Sequence, residues 1–271
     1  MASYNAATQK LIFGEDSKAR KEGRVVTVQA LSGTGSLRVG FEFINQEIPA
    51  KVLVSNPTWA NHHNVITRSG LKFEQYPYYD AATMNIKFDA LLNFLRNSAP
   101  GTVVLLHACA HNPTGVDPTF EQWQKIADVM KEKQLVPYFD SAYQGFASGD
   151  LIHDAKSIRY FADQGFTMFV SQSFAKNMGL YGERVGALHV VSPDAETSKK
   201  VLSQLKQVIR ANISSPPVHG ARIAERVLAD AANFQQWRDE LKAVADRIIS
   251  MRTALRSRLE QINTPGTFLI N

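Results

Sequence analysis

Residues 102–140 read "TVVLLHACAHNPTGVDPTFEQWQKIADVMKEKQLVPYFD" and contain two apolar runs separated by an amphipathic stretch. The runs at 102–109 and 135–140 are almost continuously apolar, which is typical of strands covered by helices on both faces. The stretch between them predicts a helix with one apolar face, formed by Trp123, Ile126, Ala127 and Met130. Thr119 and Gln122 can cap its start. A strand, a helix and a strand in succession indicate a parallel pair within one sheet.

The same alternation continues along the rest of the chain. Further predicted strands lie at 24–31, 51–56, 166–172 and 186–192. We therefore predict an α/β fold, a three-layer α/β/α sandwich around a mainly parallel sheet. Sheets of this kind bind ligands at the carboxyl ends of their strands. Polar residues at those ends are therefore the candidates for a functional site.

A long periodic segment from Phe234 to Glu260 differs from the helices before it. Its apolar residues recur at steps of three and four, and they are Trp237, Leu241, Val244, Ile248, Met251, Leu255 and Leu259. This spacing predicts a helix of about 26 residues. One interpretation is a connector helix between residues 1–233 and a further domain, which would begin with a strand-like run at 267–271. The apolar face should then be partly uncovered, whereas the alternative is a helix that only stabilises the C terminus.

The composition indicates a soluble globular protein. Of 271 residues, 44% are hydrophobic and 20% charged, and the net charge of +5 comes from basic residues scattered among acidic ones, unlike the basic clusters of nucleic-acid-binding proteins. The single Cys109 excludes an internal disulfide and is typical of a reducing compartment. No apolar run is long enough to span a membrane, and no metal site is predicted. We expect a cytoplasmic location, while a mitochondrial one stays open because a presequence would precede Met1.

Two predicted strands are followed by residues that suit an anion or an aromatic ring. Residues 32–36, "SGTGS", have backbone amides that can approach an anion at the start of a helix, although a tight turn is the simpler interpretation. Trp59 and His62 follow the strand at 51–56. A tryptophan in this position either packs in the core or lies against an aromatic ligand.

Three more polar residues end or follow the strands of the 102–140 unit. Asn112 follows the first strand, where a turn ahead of a capped helix is the alternative to a binding role. Asp140 ends the second strand, and a carboxylate there is costly unless it meets a cation; a capping role is the alternative. Tyr143 comes three residues later.

Lys176 lies in "SQSFAKNMGLYGER", residues 171–184, where a buried strand should end and a loop begin. A loop lysine that extends to solvent is the alternative to a chemical role. Together, the lysine, the aspartate, the aromatic residues and the anion-binding amides are the groups that pyridoxal phosphate requires. The amine condenses with its aldehyde, the aspartate keeps its ring nitrogen protonated, and hydroxyl, amide and guanidinium donors hold its phosphate.

Three motifs resemble those of the aspartate aminotransferases, class I enzymes of fold type I that use pyridoxal phosphate. They are "SxSFxKNxGLYxERVG" from residue 171, "AHNPTGxDPTxEQW" from residue 110 and "FDSAYQGFASG" from residue 139. The resemblance implies that Lys176 forms the Schiff base and then moves the substrate proton. It implies that Asp140 pairs with the ring nitrogen, with His62 behind it, and that Tyr143 and Asn112 bind the phenolic oxygen of the ring.

The resemblance also implies the remaining contacts. Trp59 would stack on the ring and, with Asn112, contact the substrate. The phosphate would be held by Ser32, Gly33, Thr34, Ser173 and Arg184. Arg210, in "QVIRANISSPP", would reach into the partner's site of a homodimer and bind the side-chain carboxylate of aspartate or glutamate; a surface arginine is the alternative.

The implied activity is transamination between L-aspartate and 2-oxoglutarate, which yields oxaloacetate and glutamate, with neither nucleic acid nor membrane as a partner. An aromatic-amino-acid aminotransferase is one alternative, and a non-catalytic cofactor-binding or assembly fragment is another. Members of the family extend further at both ends and include a small domain that closes over the substrate. The resemblance therefore implies a cofactor-binding large domain over residues 1–233 and, over 234–271, the connector helix with the start of the small domain. We therefore expect this chain to transaminate slowly.

Overall fold

A sheet of seven strands occupies the centre of the molecule. The computed structural model describes residues 1–266 and 268, in which nine strands occur. They are β1 (Val25–Leu31), β2 (Val52–Asn56), β3 (Phe73–Pro77), β4 (Tyr79–Asp80), β5 (Asn85–Ile86), β6 (Val103–His107), β7 (Val136–Ser141), β8 (Met168–Ser173) and β9 (Val185–Val191). The sheet has the order β1-β9-β8-β7-β6-β2-β3, while β4 and β5 pair with each other.

Most neighbouring strands of the sheet are parallel. β7 runs parallel to β6 and β8, and β2 runs parallel to β3 and β6, whereas β9 is antiparallel to both β1 and β8. Asp140 in β7 lies opposite His107 in β6 and Ser171 in β8. The carboxyl ends of β2, β6, β7 and β8 therefore meet at one edge, and the predicted mainly parallel sheet is confirmed.

Helices cover both faces of this sheet. They are α1 (Ala2–Phe13), α2 (Lys18–Lys21), α3 (Ser32–Glu47), α4 (Asn61–Arg68), α5 (Phe88–Arg96), α6 (Phe120–Glu132), α7 (Leu151–Asp154), α8 (Lys156–Asp163), α9 (Ala195–Ile213), α10 (His219–Ala229) and α11 (Ala231–Gln261). One core cluster joins α1, α5, α6 and α8 to one face, and a second joins α3, α4 and α9 to the other. This confirms the three-layer sandwich. None of the described helices is long and apolar enough to cross a membrane.

All six predicted strands are present, and the predicted cap of α6 is confirmed. Thr119 and Gln122 form a reciprocal capping box at its start. The sequence did not indicate β3, β4 or β5, because β3 exposes Glu74 and Gln75 at the sheet edge and the other two contain only two residues each. The tight turn expected at 32–36 is wrong, because α3 already begins at Ser32 and these residues form its first turn.

The long helix α11 is buried only along its first half. Its buried residues are Trp237, Leu241 and Ala245. Beyond them the apolar face is open, with Met251 51% and Leu255 61% exposed, so the predicted partial exposure is confirmed. The strand-like run predicted at 267–271 lies outside the described residues, apart from Phe268.

Candidate active site

A cleft of about 360 Å³ opens at the carboxyl edge of the sheet, a size typical of small-molecule sites. It is lined by ten of the twelve residues singled out in the sequence, namely Ser32, Gly33, Thr34, Trp59, Asn112, Asp140, Tyr143, Ser173, Lys176 and Arg184. These residues come from distant parts of the chain. They meet because the carboxyl ends of β1, β2, β6, β7 and β8 and the start of the antiparallel β9 lie at the same edge of the sheet. His62 lies behind the cleft wall, and Arg210 lies elsewhere.

Lys176 enters the cleft from the loop that follows β8. Its Nζ lies 4.7 Å from the centroid of the Tyr143 ring, within the range of a cation–π contact. Burial, followed by the nearby Asp140 and Tyr181, raises the pKa of Tyr143. The phenol is therefore neutral at pH 7 and can donate a hydrogen bond into the cleft.

Asp140 is buried, and only one of its two carboxylate oxygens has a hydrogen-bond partner among the described residues. Its Oδ2 accepts a hydrogen bond from His62 Nε2 at 3.0 Å, while its buried Oδ1 has no hydrogen-bond partner among the described residues. A Cβ added to Gly33, which also lines the cleft, would lie 3.9 Å from this oxygen. A buried carboxylate oxygen without a partner is costly. The cleft therefore presents an acceptor that suits a cationic N–H donor of a ligand.

A chain of buried hydrogen bonds determines which nitrogen of His62 carries its proton. The backbone N–H of Asn112 donates to His107 Nδ1 at 3.2 Å, so this nitrogen is an acceptor. Burial, with His111 and His62 nearby, holds the pKa of His107 well below its usual range, so the ring is neutral and its proton is on Nε2. That nitrogen lies 3.1 Å from Thr58 Oγ1, which lies 2.8 Å from His62 Nδ1. Thr58 thus accepts from His107 and donates to His62, which leaves His62 Nε2–H to donate to Asp140.

The wall of the cleft formed by the start of α3 is suited to an anion. Ser32, Gly33 and Thr34, the first residues of α3, line this part of the cleft, and the backbone amides of a helix N terminus favour negative charge. Ser32 Oγ and Ser173 Oγ lie 2.9 Å apart, and a Cβ on Gly33 would come within 3.4 Å of Ser173. Arg184 borders the same space and adds a positive charge. Two hydroxyls, amides and a guanidinium form a donor set typical of phosphate sites.

Gly186 in β9 allows α3 to begin where it does. A Cβ at this position would lie 2.5 Å from the Gln172 carbonyl oxygen and 2.7 Å from the Ser32 backbone. No side chain fits there, so the first turn of α3 can rest directly on β9. Gly186 ends the quoted lysine motif, but the sequence analysis assigned it no role.

Two carboxylates, the half-buried Asp117 and the buried Asp154, hold the loops that carry Asn112 and Tyr143. Asp117 accepts the backbone N–H groups of Ala110 at 2.6 Å and His111 at 2.8 Å. Asp154 accepts the N–H of Gly145 at 2.7 Å and a bond from Ser148 Oγ at the same distance. Burial raises the pKa of both carboxyl groups, and these hydrogen bonds oppose the shift. Charge-assisted hydrogen bonds of these two carboxylates therefore stabilise the loops that form the cleft walls.

Four further residues, which the sequence motifs did not single out, border the cleft or belong to its hydrogen-bond chain. His107, Cys109 and Tyr181 line it, and Thr58 joins the two histidines. His107 and Cys109 occupy the end of a predicted strand, and Tyr181 lies within the lysine motif, so their positions were a usable signal. Arg210 lies in the last turn of α9, exposed and bonded to Ser214 Oγ, and does not line the cleft of its own chain.

A lysine, a carboxylate oxygen without a partner and a donor set for an anion lie in one cleft of this α/β fold, and together they are features of a cofactor-binding site. The family model described as "Aminotransferase class I and II" matches residues 1–268. The chain therefore belongs to the class I and II aminotransferases.

Individual relatives agree with this family. The cytoplasmic aspartate aminotransferase of Oryza sativa subsp. japonica is 54% identical over 267 residues, which cover 98% of this chain and 66% of the rice protein. The chloroplastic aspartate aminotransferase 3 of Arabidopsis thaliana is also 54% identical, over 98% of this chain and 60% of that protein. A mitochondrial relative from Lupinus angustifolius is 47% identical. The chain thus spans somewhat less than two thirds of the length of these relatives.

The fold is shared with solved structures. The aromatic-amino-acid aminotransferase of Burkholderia pseudomallei, covalently bound to pyridoxal phosphate, superposes with a TM-score of 0.97 at 46% identity. The match covers 99% of this chain and 67% of that one.

Proposed function

We propose that this chain binds pyridoxal 5'-phosphate in the cleft and acts as an aspartate aminotransferase, exchanging an amino group between L-aspartate and 2-oxoglutarate. The observation that carries the proposal is the buried Asp140 Oδ1, which has no partner among the described residues and lies in the same cleft as Lys176. When bound, this cofactor supplies an aldehyde for the amine and a protonated ring that withdraws electrons.

Each residue that lines the cleft would contact a different part of the cofactor. Asp140 accepts a hydrogen bond from His62 through Oδ2. Its Oδ1 would accept a hydrogen bond from the ring nitrogen of the cofactor and so keep that nitrogen protonated. The neutral Tyr143 and the Asn112 side chain would donate to the phenolic oxygen, and Trp59 would cover one ring face. Ser32, Gly33, Thr34, Ser173 and Arg184 would hold the phosphate. Lys176 would hold the aldehyde through its amine, and the same amine would move the proton at the substrate Cα.

Substrate selection is proposed to require a second copy of the chain. Arg210 is exposed and lies away from its own cleft, so it would bind the distal carboxylate of aspartate, glutamate, oxaloacetate or 2-oxoglutarate only across the interface of a homodimer. Trp59 and Asn112 would contact the substrate from within the chain. Sedimentation of the protein with cofactor bound checks this point, because a strictly monomeric species at high concentration would contradict it.

Two alternatives have support. The structural match to an aromatic-amino-acid aminotransferase supports the alternative of activity on aromatic substrates. Because this chain spans less than two thirds of the length of the aspartate aminotransferases, a non-catalytic cofactor-binding or assembly unit is the other alternative.

We further propose that residues 1–233 form the cofactor-binding domain and that residues 234–271 form a connector. The exposed second half of α11 supports this division. We also propose that the protein is cytoplasmic, like its rice relative.

The absorbance spectrum of the purified protein with pyridoxal phosphate tests these possibilities. We expect a band of lysine-bound cofactor that shifts when aspartate is added. Faster conversion with phenylalanine than with aspartate would favour the aromatic alternative. A band that neither substrate changes would favour the non-catalytic one, and the absence of any band would contradict the proposal.

A further inference from the structure

Helix α11 is bonded directly to the loop that carries Lys176. The indole Nε1–H of Trp237 donates to the backbone carbonyl of Asn177 at 2.7 Å, in a buried position. Asn177 is the residue after Lys176, so this bond fixes the peptide immediately beyond the lysine. Trp237 belongs to a core cluster that also contains Phe174 from the same loop.

Asn177 also joins this loop to the one that carries Tyr143. Its Nδ2 donates to the backbone carbonyl of Gln144 at 3.1 Å, again in a buried position. The residue after Lys176 is thus tied to the residue after Tyr143. The Gln144 side chain extends the connection by donating to the carbonyls of Leu11 and Leu151.

The same helix also packs tightly against the Tyr143 loop. Gly145 has a φ of +91°, and a Cβ there would lie 2.2 Å from Leu241 Cδ2. Leu241 stands one turn beyond Trp237 on the same face of α11. The first half of α11 therefore contacts both loops, one through a hydrogen bond and the other through close packing.

Lys176 depends on this backbone support. Its Nζ makes a ring contact with Tyr143 but no hydrogen bond within residues 1–266 and 268. Where the amine lies is therefore determined by where its backbone is held. We propose that Trp237 is a positioning residue for Lys176, acting through the Asn177 carbonyl to place the amine over Tyr143. The inference rests on the proposed function of Lys176.

Two tryptophan variants of the full chain test the proposal. Trp237→Phe keeps an aromatic ring but removes the donor. Trp123→Phe is the matched control, because Trp123 is equally buried in another cluster and its indole N–H has no hydrogen-bond partner in the described part of the chain. Circular dichroism establishes that both variants fold.

The first measurement needs no cofactor. Competitive acetylation, read by mass spectrometry, compares Lys176 with Lys199, whose side chain is 76% exposed. We expect Trp237→Phe to raise the Lys176 to Lys199 labelling ratio about fivefold, the size expected from one buried hydrogen bond, because a loosened loop exposes the half-buried amine. Trp123→Phe should leave the ratio unchanged. Equal ratios in all three proteins, or an equal rise in both variants, would overturn the proposal.

Asn177→Ala provides a second variant should Trp237→Phe fail to fold. It removes the bond to the Gln144 carbonyl but keeps the backbone carbonyl that Trp237 contacts. We expect the labelling ratio to rise in the same direction by a smaller factor, and an unchanged ratio would contradict the bridge between the loops. Borohydride reduction of the parent with pyridoxal phosphate separates the two claims. If no cofactor label forms on Lys176 while the acetylation ratio still responds to Trp237→Phe, the proposed function fails and the positioning role stands.

Discussion

At the scale of single residues, the site depends on the direction of its hydrogen bonds. One backbone N–H, that of Asn112, sets the proton positions through His107, Thr58 and His62 as far as Asp140. Only one placement of the protons satisfies every donor and acceptor in this series of hydrogen bonds. The Asp140 oxygen that faces His62 therefore always accepts, and the other is left for a ligand.

A substitution at Thr58 can interrupt this series of hydrogen bonds, because the Thr58 hydroxyl joins His107 to His62. Thr58→Val keeps the shape but leaves one nitrogen of His62 and one of His107 without a partner. We expect the free energy of unfolding to fall by about 1–3 kcal/mol, measured by urea denaturation without cofactor. Affinity for pyridoxal phosphate should fall too, because the proton on His62 is no longer directed at Asp140. Thr58→Ser keeps the hydroxyl and is the control; equal losses in both variants would contradict the hydrogen-bond argument.

At the scale of elements, the anion site depends on how closely α3 approaches β9. Gly186→Ala should displace the first turn of α3, because its Cβ would overlap the Ser32 backbone. We expect a loss of about 1–3 kcal/mol in stability, typical of overpacking, and weaker binding of the cofactor phosphate. The control is Gly182→Ala, whose Cβ meets no atom within 4 Å. Unchanged phosphate binding in Gly186→Ala would show that the position of this turn is unimportant.

The elements also show what the sequence could and could not predict. β6, β7 and β8 are buried along almost their whole length, so the sequence shows each as a run that begins with several apolar residues. Their parallel order brings Asp140 and the loop with Lys176 to one edge of the sheet. β3 was missed because an edge strand with polar residues lacks such a run. The sequence favoured a turn at 32–36, where α3 in fact begins, because glycines are poor helix formers. Contact of these residues with β9 stabilises their helical conformation. The histidine chain was missed because it arises from side chains that meet only in the folded protein.

At the scale of the whole molecule, buried histidines make stability depend on pH. Burial lowers the pKa of His111 and His189 from 6.5 to about 3. As pH falls below 6.5 the unfolded chain takes up protons that the folded chain refuses, so stability present at neutral pH is lost progressively down to about pH 3. The raised pKa values of Asp117 and Asp154 act in the opposite sense, because the folded state takes up protons above the usual carboxyl range and these groups add stability as pH falls.

Urea denaturation between pH 7 and pH 4.5 checks this balance. We expect a net loss of stability on acidification, each unit of pKa shift being worth about 1.4 kcal/mol. His189→Gln should flatten the pH dependence, since it removes one such group from the interior. His219→Gln, at an exposed position, should not. A parallel pH profile for His189→Gln and the parent would contradict the assignment.

Covalent labelling shows directly whether Lys176 is the residue that binds pyridoxal phosphate. The protein is incubated with pyridoxal phosphate, reduced with borohydride and digested, and the peptides are mapped by mass spectrometry beside a Lys176→Ala variant. We expect the pyridoxyl group on the peptide that contains Lys176, because Lys176 is the one lysine among the described residues that line the cleft shared with Asp140 and the anion site. The Lys176→Ala variant should show no label at that peptide. Label on another lysine, or no label despite bound cofactor, would contradict it.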